Sequence, residues 1–367
     1  MTKTAVLAPS TAAGEPAASS AAPRRRLLRR ALPPAAFALL VILPYSTLDL
    51  PALLPGPVNS PGSLQLLGVC LVFAGLAATY DLLFGHTGLL SFGHALYVVL
   101  GSYTVNIAVT KWEFGLTAAL ALTVVVGLVV PALLGALALR VRGIAFAMVT
   151  LAMAQVAAIA VASDPGRLTG GEEGLSLLPS AVPEFLAGID NTANLYWLAL
   201  GYLVLVAGAV AWLVNSEPGR VWAAIRENEQ RVAVLGLQPY RFQLLAFVIA
   251  SFLAALGGTV HLFLMGGSSP QITTSSFTLG FLLMVVLGGA GTRWGAILGG
   301  LLYAYLDHRL GALGTSEGVA GLPGWLRGPL SEPLFVLGVL FMGVVYFLPG
   351  GLSGLGARLR RNRGVRP

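Results

Sequence analysis

Charge is what this sequence has least of: Asp, Glu, Lys and Arg make up 10% of its 367 residues, against 56% hydrophobic. A soluble domain of ordinary composition carries roughly a quarter of its residues charged, so that class is excluded and a polytopic membrane protein is expected. Lysine is confined to Lys3 and Lys111, and neither stands in a G-x-x-x-x-G-K-[ST] context. The chain therefore has no P-loop with which to cradle ATP. No H-E-x-x-H occurs, which removes the helical zinc site of many hydrolases. The single cysteine, Cys70, has no internal disulfide partner and reads as a small packing residue in an apolar run.

Long hydrophobic runs are what the chain does have. At about 20 apolar residues per crossing, spans are expected near residues 32–54, 63–84, 92–110, 115–139, 143–163, 194–215, 242–265, 276–290, 294–310 and 329–348. The fold class is an all-α polytopic membrane protein with about 10 transmembrane helices, or 8 to 10 allowing for weak first, eighth and ninth runs. Net charge is +7, carried almost wholly by Arg in short loops and tails. Arginines favour the cytoplasmic side, and an even number of spans puts residues 24–30, Arg140, Arg142, the loop of Arg220, Arg226, Arg231 and Arg241, Arg293, and residues 358–366 together there. Both termini are then cytoplasmic. This distribution reports topology rather than nucleic-acid binding.

The domain limits follow. Residues 1–31 read as a disordered basic cytoplasmic tail, 32–348 as the transmembrane domain and 349–367 as a basic cytoplasmic tail. The Arg-rich run at 24–30 has the charge pattern of a signal peptide, but no small-residue cleavage site follows, so an uncleaved first span is expected. Residues 164–193 form an acidic, Gly/Pro-rich outer loop with Asp164, Glu172, Glu173, Glu184 and Asp190, expected to cap the outer mouth. Heavy use of Ala, Gly, Pro and Arg points to a GC-rich bacterial genome.

One long polar segment interrupts the oily sequence, the loop 216–241. Ser216 offers an N-cap hydroxyl, Pro218 suits a first helical turn, and Gly236 followed by Pro239 supplies a stop. Val221, Ile225, Val232 and Leu235 recur at helical spacing on one face, while Arg220, Glu227 and Arg231 fall elsewhere, with Glu227 set to pair with Arg231. An amphipathic helix between two spans suits a groove on a soluble partner; lying at the headgroup boundary is the competing reading.

The run GRVWAAIRENEQRVAVLG and the span after it resemble the cytoplasmic coupling loop of permeases in ABC importers for branched-chain amino acids, specifically the M-type partner of two unlike permeases. GHTGLLSFGHA (Gly85 to Ala95), the Arg140 to Ala152 stretch, TGGEEGL from Thr169 and GGAGTRWGA from Gly288 resemble the same family in the same order, over roughly residues 64–348. The resemblance implies no catalytic activity, no cofactor and no metal site in this chain, with ATP bound by two cytoplasmic ABC ATPase subunits. It also implies a second related permease and an external solute-binding protein. The ATPase-coupling residues are then Arg220, Trp222, Ala223, Ala224, Ile225, Glu227, Asn228, Glu229, Arg231 and Gly236. The common importer pattern of Glu-Ala-Ala with a glycine six residues after the Glu has no clean copy here, although Ala223-Ala224 and Gly236 are present. A charge placed at Ile225 is expected to weaken ATPase association without preventing membrane insertion.

Two polar interruptions, Gly85 to Ala95 and Gly266 to Ser276, punctuate the apolar runs and pair across the two halves as transporter pathways do. An uncharged lining of Thr87, Ser91, His94, Ser268 and Ser269 offers transient hydrogen bonds to a passing amino acid; ordinary turns and small-residue packing are the plainer alternative. Asp81 is the clearest intramembrane carboxylate and is expected to reach headgroup water beside His86. His261 reads as a packing histidine. Ser91 with His94 has no orienting carboxylate, which argues against a hydrolase. An ion-coupled secondary transporter, or an ABC permease for urea or amides, are the other functions this sequence admits.

Overall fold

A computed structural model describes residues 37–49, 54–186, 191–292, 294–314, 332–347 and 350–354. The expected tail at 1–31, most of the expected tail at 349–367, and Arg293 lie outside the described residues. The chain divides into two units at Ser46. In the first, residues 37–42 are helical (α1) and run into the 3-10 turn Leu43–Tyr45.

The second unit is a helical bundle. Its helices are α2 (Pro61–Asp81), α3 (His94–Thr110), α4 (Leu116–Ala138), α5 (Ile144–Ala162), α6 (Thr192–Asn215), α7 (Glu217–Val234), α8 (Pro239–Met265), α9 (Ser275–Gly288), α10 (Gly295–Gly314) and α11 (Pro333–Phe347). Helix therefore stands at every expected run from 63–84 onward. Among the described residues six segments are long and apolar enough to cross a membrane: Pro61–Thr87, Leu116–Ala138, Ile144–Ala162, Thr192–Asn215, Pro239–Met265 and Phe335–Gly354. α3 and α9 are apolar but shorter.

A helix that is apolar on all sides belongs either to a core or against lipid. Burial separates the two cases: 83% of the most apolar window of Pro61–Thr87 and 78% of that of α8 are buried, against 22% for α4 and 28% for α5. α2 and α8 are thus the core. α2 starts where Ser60 Oγ accepts from the Ser63 amide, with Pro61 in the first turn, and packs against α6, α8, α9 and α10. α3, α4 and α8 pack on one another, and α3 meets α8 by reciprocal glycine contacts. A side chain at Gly101 would overlap the Ala255 carbonyl, and one at Gly258 the Val98 carbonyl. Small residues let these two backbones touch, as they do between membrane helices generally.

α6, at 24 residues, is about 36 Å long and separates two polar ends. At one lie the acidic segment after α5 and a two-stranded antiparallel ladder of β1 (Leu175–Ser176) and β2 (Gly267–Ser268), with Leu175 opposite Ser268. At the other lies α7.

Candidate functional site

α7 differs from the single helix its sequence suggests. Ser216 occupies the N-cap position, but its hydroxyl donates back to the Leu213 carbonyl at 2.5 Å and caps nothing ahead. The helix breaks at Asn228 (φ −161°, ψ 102°), whose Oδ1 accepts from the Arg231 amide at 2.9 Å and so starts the second piece. Gly236, at φ +86°, ends it, in a backbone region that favours glycine. Because the break falls between Glu227 and Arg231, the helical spacing that was to pair them is lost, and no ion pair joins them among the described residues.

The apolar face of α7 turns inward. Trp222 is fully buried and donates its indole N–H to the Phe242 carbonyl at 2.8 Å, while Ile225 and Val232 are 5% and 2% exposed. These residues hold α7 to its own chain. Arg220, Ala223, Ala224, Glu227, Asn228, Arg231 and Gly236 are exposed, and Glu229 is half-buried and paired with Arg142 at 3.2 Å. The apolar residues that remain open are at the far end: Val234 is 88% exposed and Leu235 75%.

The first interruption meets α7 directly. α2 widens into a π-helical turn over Leu82–Thr87, and Gly88 follows in the left-handed region at φ +77°. Arg226 of α7 donates from its guanidinium to the Gly85 carbonyl. Asp81, expected to reach water, is instead buried to 3% exposure: its Oδ1 accepts from the Gly291 amide at 2.8 Å, and its Oδ2 lies 3.6 Å from His86 Nε2. A side chain at Gly85 would collide with the Asp81 carboxylate and the Gly291 amide. Four segments meet here: the end of α2, the interruption, α7 and the turn between α9 and α10. A small cavity of ≈ 140 Å³ opens beside this joint, lined by Thr87, Arg142, Phe146, Ile225 and Arg226 among others.

The five expected lining residues fall in two places. Thr87 bonds the Leu83 carbonyl of its own turn, Ser91 Oγ accepts from the Gly93 amide, and His94 Nε2 lies 2.9 Å from Thr79 Oγ1, with His94 wedged between the rings of Tyr80 and Phe281. All three are buried. Ser91 and His94 each have other partners and are not bonded to one another. Ser268 and Ser269 belong to the acidic end. Ser268 Oγ lies 2.8 Å from Ser102 Oγ and accepts from Asn106 Nδ2 at 3.2 Å, and Ser269 is exposed and caps the Gln271 amide.

Between the two places runs a series of aromatic rings. Phe73 meets Phe277 (5.8 Å between ring centres), Phe277 meets Phe281 (5.1 Å), Phe281 meets His94 (5.4 Å) and Tyr80 (6.3 Å), and Tyr80 meets Phe84 (6.2 Å). At the acidic end these rings open into a cleft of ≈ 500 Å³ whose wall includes Ser268, Ser269, His261, Glu173 and Asp307. Asp307 escaped the sequence reading although it lies within the expected span 294–310; the expectation that intramembrane carboxylates are functional applied to it as much as to Asp81. Arg226 also escaped, because its partner is 141 residues away and leaves no local pattern. Among the described residues no group of three or more His, Cys, Asp or Glu is placed to hold a metal ion.

Apolar helices around an enclosed core, with the irregular turn at Leu82–Thr87 sheltered inside protein, define a multi-pass membrane protein of the transporter class. The chain belongs to the family described as the branched-chain amino acid transport system / permease component, whose model matches residues 63–345. It is 30% identical over 265 residues to the high-affinity branched-chain amino acid transport system permease protein LivM of Salmonella typhimurium, covering 66% of this chain and 62% of that one. The LivM of Escherichia coli is 29% identical over the same shares, so the chain spans 62% of the length of these two relatives. An autoinducer 2 import system permease protein, LsrC of Yersinia pseudotuberculosis, is 32% identical over 190 residues, 49% of this chain and 48% of the relative. No solved structure matches. By name these relatives are permease proteins of transport systems.

Proposed function

We propose that this chain is the translocating subunit of an ABC importer that moves branched-chain or related small amino acids inward across a bacterial cytoplasmic membrane. Separate ATPase subunits supply the work, a second related permease completes the channel, and an external binding protein delivers the solute. Both termini and the 216–241 loop face the cytosol in this reading, with about ten crossings. The ten coupling residues and the lining set Thr87, Ser91, His94, Ser268 and Ser269 keep those roles here, Trp222 and Ile225 acting by fixing α7 in place.

The observation that carries the proposal is the grip of Arg226 on Gly85. A segment pushed from the cytosol is thereby attached to the interrupted end of the most buried helix. Motion imposed on α7 reaches the pathway through one charged hydrogen bond, the strong kind. ATP-dependent uptake of labelled leucine by vesicles holding this chain with its ATPases, second permease and binding protein tests it; uphill uptake by vesicles holding this chain alone would sink it.

The solute is open to a second reading, because the family's resemblances extend to an autoinducer 2 permease. Competition of leucine uptake by that solute separates the two.

A further inference from the structure

The cleft at the acidic end is built from α2, α8, α9, α10 and the β1–β2 ladder with the turns beside it. Phe73 of α2, Phe277 and Met284 of α9, and Met265 of α8 give it an apolar wall, while Glu173 and Asp307 bring carboxylates; among the described residues no Lys or Arg lines it. Glu173 is held on the rim by the turn that carries it. Gly170 and Gly174 adopt positive φ, and a side chain at Gly174 would collide with the Ser268 carbonyl, so this turn is seated directly on β2. Thr169 fastens its start, donating its hydroxyl to the Val161 carbonyl at 2.7 Å. His261, also on the cleft wall, is 9% exposed, stands edge-on to Phe73, and its Nδ1 has no hydrogen-bond partner. A buried polar atom without a partner is destabilising, so it favours whatever brings it one.

We propose that this cleft is a solute site that selects for an ammonium group and against net negative charge, resting on the transport reading above and adding the charge class of the solute. The ammonium of a zwitterion lies toward Glu173 and Asp307, its carboxylate takes donors from the Ser269 hydroxyl and the histidine, and an aliphatic side chain lies against Phe73, Phe277 and Met284. An anion meets two carboxylates and, among the described lining residues, no Lys or Arg, with only His308 beside Asp307 to offset them. Selection by charge is thus added to any choice made before the solute arrives.

The test uses the purified full-length chain in lipid nanodiscs and three probes with one side chain: L-leucine, leucine methyl ester, which keeps only the ammonium, and N-acetyl-L-leucine, which keeps only the carboxylate. Titration calorimetry at about pH 6, below the ordinary amine range, is expected to give ester and leucine affinities at least about tenfold above that of the N-acetyl compound, a difference of about 1.4 kcal/mol. Combined Glu173→Gln and Asp307→Asn substitutions, both at exposed positions, should narrow the gap below about threefold without moving the unfolding temperature. Equal binding of the N-acetyl compound, no binding of any probe, or an undiminished gap in the double variant would each overturn the proposal. Leucine uptake by the assembled importer is scored separately: uptake with a flat probe series rejects the cleft and leaves the transport reading standing, whereas absence of uptake rejects the transport reading.

Discussion

Arg226 joins the amphipathic helix α7 to the Gly85 carbonyl, next to a carboxylate, Asp81, that water scarcely reaches. A hydrogen bond from a charged group contributes about 1.5–3 kcal/mol, and removing it leaves the carbonyl unpaired. Arg226→Ala is therefore expected to slow ATP-driven uptake by about tenfold or more while ATPase association, read by co-purification, is retained. Arg226→Lys should recover part of the rate, since an ammonium can still donate to that oxygen. Asp164, outside the spans, offers a pH test. Its carboxylate accepts from the Thr169 amide at 2.7 Å, the Thr169 hydroxyl at 3.0 Å and the Gly170 amide at 3.1 Å, with Lys111 nearby, and these hold its pKa below the ordinary carboxylate value. A group depressed on folding stabilises fully above its unfolded pKa of about 4 and loses that stabilisation only as pH falls through the lower folded value. Protection of the Thr169 and Gly170 amides from hydrogen exchange should persist from neutral pH to about 4 and decline below it; a decline nearer pH 6 would mean that another group holds the turn.

At the scale of the element, α7 reverses the experiment its sequence suggests. Ile225 lies on the apolar face as its spacing requires, but that face is spent on Trp222, Val232 and the chain's own interior. Ile225→Glu would push a carboxylate into a packed position that is 5% exposed and is expected to destabilise the permease itself, seen as a lowered unfolding temperature. Val234→Glu and Leu235→Glu sit on open surface, so they should leave that temperature unchanged and weaken co-purification of the ATPase. Unchanged co-purification of both would remove this end of α7 from the interface. The contrast marks what sequence could convey. Hydropathy located the helices from residue 63 onward, because a buried or lipid-facing helix must be apolar along its whole length, and the GHTGLLSFGHA glycines marked where α2 opens. Periodicity identified which face of α7 was apolar but not what covers it. The break at Asn228 stayed hidden since a polar, solvent-facing residue satisfies helix and kink alike. His94 and Ser268 were each legible as polar groups in oily surroundings, yet their separation by the aromatic series depends on how α2, α3 and α9 pack.

For the whole molecule, the division between core and periphery sets what the chain needs around it. α2 and α8 are enclosed, while α4 and α5 keep apolar sides open, with Leu133, Ile144, Val156 and Ile159 each more than half exposed. Such surface is matched by lipid or by another apolar protein, and purified chain stripped of detergent is expected to aggregate rather than remain monomeric. The turn at Leu82–Thr87 has a further consequence. A π-turn accommodates one residue more than the α-helical turns around it. That surplus is transferable: handing it one turn toward Pro61 swivels the side chains it passes by about 100° while the ends of the helix stay put. Arg226 holds the Gly85 carbonyl inside this turn, so whatever load α7 carries falls on the one stretch of α2 whose register already has a residue to spare.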